Sequence, residues 1–250
     1  DTVVATARNI DDLQYLDHEN AIRMALDVND DAAIQAVFSE IRERIGHIDL
    51  LINNAGYAAM GPVTELSREN LMRQFETNVL APVSVTSEAL SMLRASDTAQ
   101  VINIGSVSGI LTTPFSGAYC ATKAALHSLS DAMRMELAPF GIEVITVQPG
   151  AIQSSFGDNS LAGVSDLLKP DSLFKSVEDK IRERAVASQQ NPTTAEAFAK
   201  EMLLRIQGSP APELRIGNGS TALPLMKRWL PLRLLDRILS RKFGLDRLKG

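Results

Sequence analysis

A doubly wound α/β domain is the fold class this chain predicts, on three observations. Short apolar runs at residues 3–7, 48–52, 101–104 and 142–147 are long enough for strands and too short for helices. Between them lie longer segments with apolar residues at helical spacing, such as Ile34, Val37, Phe38, Ile41 and Ile45. Strands alternating with helices build crossover units and a parallel sheet. Composition agrees, because 250 residues, 45% hydrophobic and 22% charged, make an ordinary globular chain whose core needs no staples. A net charge of −5 leaves no overall basic surface for nucleic acid. The lone Cys120 excludes an intrachain disulfide, suits a reducing, cytoplasmic setting and reads as a small buried filler. His18, His47 and His127 lack ligand spacing, so no metal site is expected. No signal peptide and no apolar run of about 18 residues is present.

The chemistry concentrates in residues 106–123, S-VSGILTTPFSGA-Y-CAT-K. Tyr119 and Lys123 are four apart, which on a helix puts them on one face, one turn from each other. A cation within ~4–6 Å stabilises a phenolate and lowers its pKa from about 10. Tyr119 is therefore expected to exchange a proton with a carbonyl or alcohol oxygen near neutral pH. Ser106 follows an apolar run, so its hydroxyl emerges at the carboxyl end of a strand, where open α/β sheets bind ligands. An isolated Y-x-x-x-K equally describes an exposed helix face. Its company decides otherwise: Asn53-Asn54-Ala55-Gly56 after one strand, Asn78 in a helical tract, and Pro149-Gly150 after another strand. In that order these motifs resemble the short-chain dehydrogenase/reductase family over about residues 1–155. The resemblance implies a single Rossmann-type domain over 1–221 and a catalytic tetrad of Asn78, Ser106, Tyr119 and Lys123. It also implies a nicotinamide cofactor and a small carbonyl or alcohol substrate.

Taken in order, residues 3–7 then form the second strand of such a fold, ending near the adenosine ribose. Arg8 stands there in place of a carboxylate, and its planar guanidinium suits a 2′-phosphate, which favours NADP. Its plain alternative is a solvated surface residue. Asp27 follows the third strand and is implied to touch the adenine, while Asn29-Asp30-Asp31 also reads as a helix cap. Asn54, Ala55 and Gly56 let the backbone approach the cofactor. Ser67 opens a helical tract running to Leu93, which Pro82 is expected to bend or break. The family places at Asn78 an irregular backbone that holds a water linking the lysine to solvent. After Tyr119, the apolar face of Ala121, Ala124, Ala125, Leu129, Met133 and Leu137 suggests pairing in a homo-oligomer, although core burial explains the same pattern. Pro149, Gly150, Ile152 and Ser154 resemble the turn that touches the nicotinamide; Tyr119 and Lys123 also contact the cofactor in the family. The glycine-rich pyrophosphate turn has no match, and the chain begins with Asp. The expectation is an N-terminally truncated fold lacking its first strand and that turn. In the family residues 155–200 form the substrate lid; Phe156, Leu161, Leu167, Leu168 and Phe174 make it apolar enough for a lipid-like or hydrophobic substrate, although a packed helical cap reads identically, and residues 213–217 read as a last strand.

The tail, 222–250, differs in composition. Lys227, Arg228, Arg233, Arg237, Arg241, Lys242, Arg247 and Lys249 against Asp236 and Asp246 give it a net charge of +6. Leu232, Leu234, Leu235, Ile238, Leu239, Phe243 and Leu245 interleave with these bases, and Trp229 precedes them. Such a basic amphipathic tail suits peripheral contact with an anionic membrane, or docks its apolar side on the domain. It is similar to tails of 1-acyldihydroxyacetone-phosphate reductases and related lipid-active reductases. The expectation is an NADPH-dependent carbonyl reductase with a hydrophobic or lipid-like substrate. An NAD-dependent alcohol dehydrogenase and a non-catalytic membrane-surface scaffold are the alternatives.

Overall fold

The computed structural model describes residues 1–154, 156–157, 160–161, 164 and 168–248. Leu167 and Lys249 lie outside them. Six parallel strands form the framework: β1 (Val3–Ala7), β2 (Ala21–Ala25), β3 (Leu50–Asn53), β4 (Gln100–Ile104), β5 (Glu143–Pro149) and β6 (Glu213–Ile216). They fall into two hydrogen-bonded groups, β1–β2 and β3–β4–β5–β6. Register runs Ala7 opposite Ala25 in the first, and Asn53 opposite Asn103 in the second. β1 and β3 share no pairing and each keeps an open edge. Residues 48 and 49 stand outside β3, which begins at Leu50.

The helices form where caps and apolar spacing coincide. Asp30 caps α1 (Asp31–Arg44), its carboxylate accepting from the amides of Ala32 and Ala33. Ser67 caps α2 (Arg68–Phe75) through the amide of Asn70. The expected interruption is real but comes before the proline. Residues Glu76–Leu80 form a π-helical turn, and Pro82 lies in the first turn of α3 (Ala81–Leu93), which continues the same helical tract without a break. α4 (Gly117–Leu137) carries Tyr119 and Lys123. Then come α5 (Glu178–Ala185), α6 (Ala195–Arg205), α7 (Ala222–Trp229) and α8 (Leu232–Lys242). None of the described helices is long and apolar enough to cross a membrane.

Successive residues of β4 and β5 serve opposite faces of the sheet. Val101 and Val144 join Met24, Leu26, Ile34, Phe38, Ala89 and Leu93 in one core, beneath α1 and α3. Ile102, Ile145 and Val147 join Met202, Ile206, Leu214 and Ile216 in another, beneath α6. Strands covered on both faces read as continuous apolar runs. A third apolar cluster gathers around Tyr119 and includes Ala58, Met60, Phe115, Val164, Leu168, Ile181 and Phe243. Phe243 belongs to the tail, so the basic segment docks one side of itself on the domain. Leu235 and Phe243 are buried, whereas Trp229, Leu232 and Ile238 stay exposed.

The chain beyond β5 is bracketed by a close approach. A Cβ on Gly150 would stand 1.9 Å from the Asn218 carbonyl oxygen, whereas one on Gly141 would meet nothing within 4 Å. Gly141 instead needs its left-handed φ of +74°. Gly150→Ala is therefore expected to destabilise by about 3 kcal/mol through overpacking, and Gly141→Ala by about 1 kcal/mol through backbone strain. Urea unfolding of both variants measures this; equal losses would contradict the bracket.

Candidate active site

The four predicted catalytic residues come together at the carboxyl edge of β3 and β4. Ser106 follows β4 and caps a short 3-10 turn, its Oγ accepting from the amide of Ser108 at 3.0 Å. Its own amide donates to His127 Nε2 at 3.3 Å. That imidazole fills the space that side chains on Gly105 and Gly109 would need, since a Cβ there would fall 2.3 Å and 2.5 Å from the ring. The Ser106 loop is thereby seated on α4. Sequence reasoning left His127 idle, because its partners lie a helix and a strand away.

Tyr119 and Lys123 share the inner face of α4, as the spacing predicts, at 9% and 4% exposure. Lys123 Nζ lies 5.9 Å from the centre of the Tyr119 ring and donates to the Ile104 carbonyl at 2.6 Å. Asn78 lies within the π turn, fully buried. Its Oδ1 accepts from the amide of Tyr57 at 2.8 Å, and its Nδ2 donates to the Tyr57 carbonyl at 2.8 Å and to Thr122 Oγ1 at 3.0 Å. Thr122 in turn donates to the Tyr119 carbonyl at 2.7 Å, which links Asn78 to the tyrosine's helix. A Cβ on Gly56 would sit 3.7 Å from Asn78 Oδ1 and 4.0 Å from Lys123 Nζ. The N-N-A-G turn thus meets the tetrad, and its last glycine keeps the backbone close to Asn78 and the buried Lys123. Asn53, the turn's first residue, points inward and donates to Asn103 Oδ1 at 2.8 Å, and Asn103 donates to Ser130 Oγ on α4 at 2.9 Å. This buried polar chain fixes β3, β4 and α4 in relation to one another.

The electrostatics correct the expectation from sequence. Burial pushes the Tyr119 phenol up to about 12, against lowering by a hydrogen bond with Ser106 and by the charge of Arg184, with Cys120 adding to the rise. Lys123 is not among the groups that lower it. Burial brings the Lys123 ammonium down to about 8. Burial decides both shifts, since the phenol is hemmed in by Phe156, whose ring centre lies 5.3 Å away, and by Phe115. Phe115 itself takes a φ of +65°, unusual for an aromatic residue, and holds it with edge-on contacts to Phe174 at 6.0 Å and Phe243 at 6.3 Å.

The proposed cofactor contacts divide into two groups. Asn54, Ala55 and Gly56 after β3 and Pro149 at the end of β5 share the edge that carries Ser106. Gly150 faces Asn218 as described, Ile152 bridges to Thr193, and Ser154 is exposed. Arg8 and Asp27 are exposed at the carboxyl ends of β1 and β2, in the other strand group, and the Asp27 carboxylate accepts from the Asn29 amide at 3.0 Å. The Lys123 ammonium at the strand end and the exposed Asn54, Ala55 and Gly56 beside it fit the nicotinamide–ribose end of a dinucleotide. No glycine-rich strand-to-helix turn for a pyrophosphate occurs among the described residues. Nor do they hold a group of three His, Cys, Asp or Glu suited to a metal. Cys120 is buried beside Ser116 Oγ at 3.4 Å, as a filler.

His127 gives the site a measurable pH dependence. Burial, helped by Lys123 and opposed by Asp131, brings its imidazole down to about 4. Between that value and the unfolded value near 6.5, the unfolded chain binds a proton that the folded chain does not. Stability should accordingly be full above pH ~6.5 and fall as pH drops towards 4. Thermal melts across this range should show a shallower slope for His127→Gln; an unchanged slope would contradict it.

A model of the short chain dehydrogenase family matches residues 1–163. An uncharacterised oxidoreductase of Bacillus subtilis is 34% identical over 178 residues, 71% of this chain and 61% of that protein. An NADPH-dependent 3-dehydrocapnine reductase of Ornithobacterium rhinotracheale is 33% identical over 170 residues, 64% of this chain and 60% of that one. The chain thus spans about three-fifths of the length of these curated relatives. Among solved structures, a short-chain dehydrogenase from Streptomyces avermitilis superposes with a TM-score of 0.77 at 28% identity, covering 99% of this chain and 88% of that one. With its Ser–Tyr–Lys site, its braced asparagine and its parallel sheet, the chain belongs to the short chain dehydrogenase family.

Proposed function

We propose that this chain is the catalytic body of an NADPH-dependent carbonyl reductase acting on an apolar or lipid-like ketone or aldehyde. The observation that carries the reading is the meeting of Ser106, Tyr119 and Lys123 at one strand end, with Asn78 joined to them through Thr122. A phenol at about 12 is protonated at neutral pH, the form that gives a proton rather than takes one. Tyr119 therefore donates to the carbonyl oxygen as it becomes an alkoxide, and the Ser106 hydroxyl orients and stabilises that oxygen. Lys123 at about 8 exchanges protons near neutrality and resupplies Tyr119. Pro82 has no N–H to donate to the Asn78 carbonyl four residues before it, which supports a relay water at that carbonyl. When bound, the reduced nicotinamide supplies the hydride.

Lys123 would hold the nicotinamide ribose, with Asn54, Ala55, Gly56, Pro149, Gly150, Ile152 and Ser154 around that end. Asp27 would face the adenine. Arg8, in place of a carboxylate, supports NADPH over NAD, and with it reduction over alcohol oxidation. The open edges of β1 and β3 support a further parallel strand between them, carrying the pyrophosphate turn. The apolar wall of Phe115, Phe156, Leu168, Phe174 and Phe243 supports a hydrophobic substrate. Exposed Trp229, Leu232, Leu234 and Ile238 beside the basic residues of α7 and α8 support peripheral contact of a cytoplasmic protein with an anionic membrane. Exposed Met72, Phe75, Leu80 and Val83 on α2, the π turn and α3 support pairing of two copies. A second reading, a membrane-surface protein without catalysis, is favoured by the lack of a pyrophosphate turn among the described residues.

Tyr119→Phe should abolish NADPH oxidation with a ketone substrate, a loss of at least about 10²-fold, while leaving the melting temperature and NADPH binding in place; residual turnover near wild type would overturn the assignment. Trp229→Ser with Ile238→Ser should weaken co-sedimentation with phosphatidylserine vesicles several-fold. Vesicle binding by the native, full-length product with no NADPH affinity would favour the second reading.

A further inference from the structure

Among the described residues Arg184 is a cation without an anion. It lies on α5, between Ile181 and Ala185, which are both buried in the apolar cluster that surrounds Tyr119. The other basic residues of this helix and the turn leading into it have carboxylate partners. Lys175 lies 2.6 Å from Glu178, Arg182 lies 2.8 Å from Glu178, and Lys180 lies 2.7 Å from Glu183. Arg184 forms no ion pair among the described residues. Its one hydrogen bond runs from Nε to Thr113 Oγ1 at 2.8 Å, across 71 residues of chain.

That bond orients the guanidinium. Thr113 Oγ1 is itself 2.8 Å from Ser116 Oγ, and Ser116 opens the helix that carries Tyr119 one turn later. The side chain is thus tied down at Nε, and its two terminal nitrogens have no partner among the described residues. Burial lowers the guanidinium's pKa, and the charges acting on it are those of Cys120 and Tyr119. The influence is mutual, because Arg184 is the cation whose field reaches the Tyr119 phenol. An uncompensated charge at an apolar wall is costly to fold around. The cost is relieved when a ligand brings the counter-charge, and a planar fork with two free donors matches an oxyanion bidentately.

We propose that Arg184 is the substrate-anion residue of this site, so that the carbonyl compound taken there carries a carboxylate or phosphate monoester near its reacting carbon as well as an apolar body. Thr113 is the positioning residue that aims the fork. This rests on the carbonyl-reducing reading given above, and it narrows the substrate from any hydrophobic ketone to an anionic amphiphile.

Two measurements, the first on the 250-residue chain and the second on a protein that also carries the pyrophosphate-turn strand inferred above, keep the proposal and that reading separable. The first is calorimetric binding of octanoate, octyl phosphate and octanol, which needs neither cofactor nor turnover. Octanoate or octyl phosphate should bind at least tenfold more tightly than octanol, and the stronger of the two identifies the anion. Arg184→Met should remove that preference and Arg184→Lys should keep part of it, with melting curves confirming that both variants fold. The second is reduction of 3-oxooctanoate against its methyl ester, where Arg184→Met should collapse the preference for the free acid at least tenfold, chiefly in KM. Equal binding of the three octyl compounds by the unaltered chain, or an anion preference that survives Arg184→Met, overturns the proposal. If the anions bind through Arg184 and no ketone is reduced, the catalytic reading fails and the anion site stands.

Discussion

Burial of a phenol and an ammonium on one turn of α4 is the constraint from which the rest of the site follows. Each group would be cheaper in water, so the surrounding structure must hold both where they are. Lys123 is anchored to the Ile104 carbonyl at the end of β4. The helix beneath it is fixed to the sheet by the Asn53–Asn103–Ser130 chain and to the π turn by Asn78 and Thr122. His127 locks the Ser106 loop to the same helix. These contacts make the sheet edge a rigid seat, in which geometry is set before any ligand arrives.

The consequence is a division of labour different from the one suggested by spacing alone. In the proposed reaction Tyr119, kept protonated by its burial, would serve as the acid, and Lys123, with its value lowered to about 8, would pass protons on. A dinucleotide phosphate and ribose near the lysine would alter that balance, and so would an anion on Arg184.

Much of this was legible in the sequence where the determinant is local. Tyr119 and Lys123 four apart, Asp30 and Ser67 as caps, Ser106 after an apolar strand and a break near Pro82 all depend on neighbours within a few residues. The sign of the Tyr119 shift did not, because it is set by Phe115, Phe156 and the surrounding cluster, brought in from distant segments. His127 and Arg184 were invisible for the same reason: their partners are 21 and 71 residues away. The irregular backbone at Asn78 is where the resemblance put it, whereas Pro82, expected to bend or break the tract, lies inside the first turn of α3. In the tail, the alternation of leucines and bases announced amphipathicity. It could not say that Leu235 and Phe243 would dock while Trp229 and Ile238 faced outward.

The most direct test of the account is the ionisation of Tyr119 in the ligand-free protein, followed by nuclear magnetic resonance of a ring-labelled tyrosine and assigned by comparison with a chain lacking that phenol. The Tyr119 signal should remain that of the neutral phenol through pH 10, consistent with a value pushed up to about 12. A midpoint well below the ordinary value of about 10 would show that attraction to the lysine outweighs burial, and would contradict the acid role given to the resting residue.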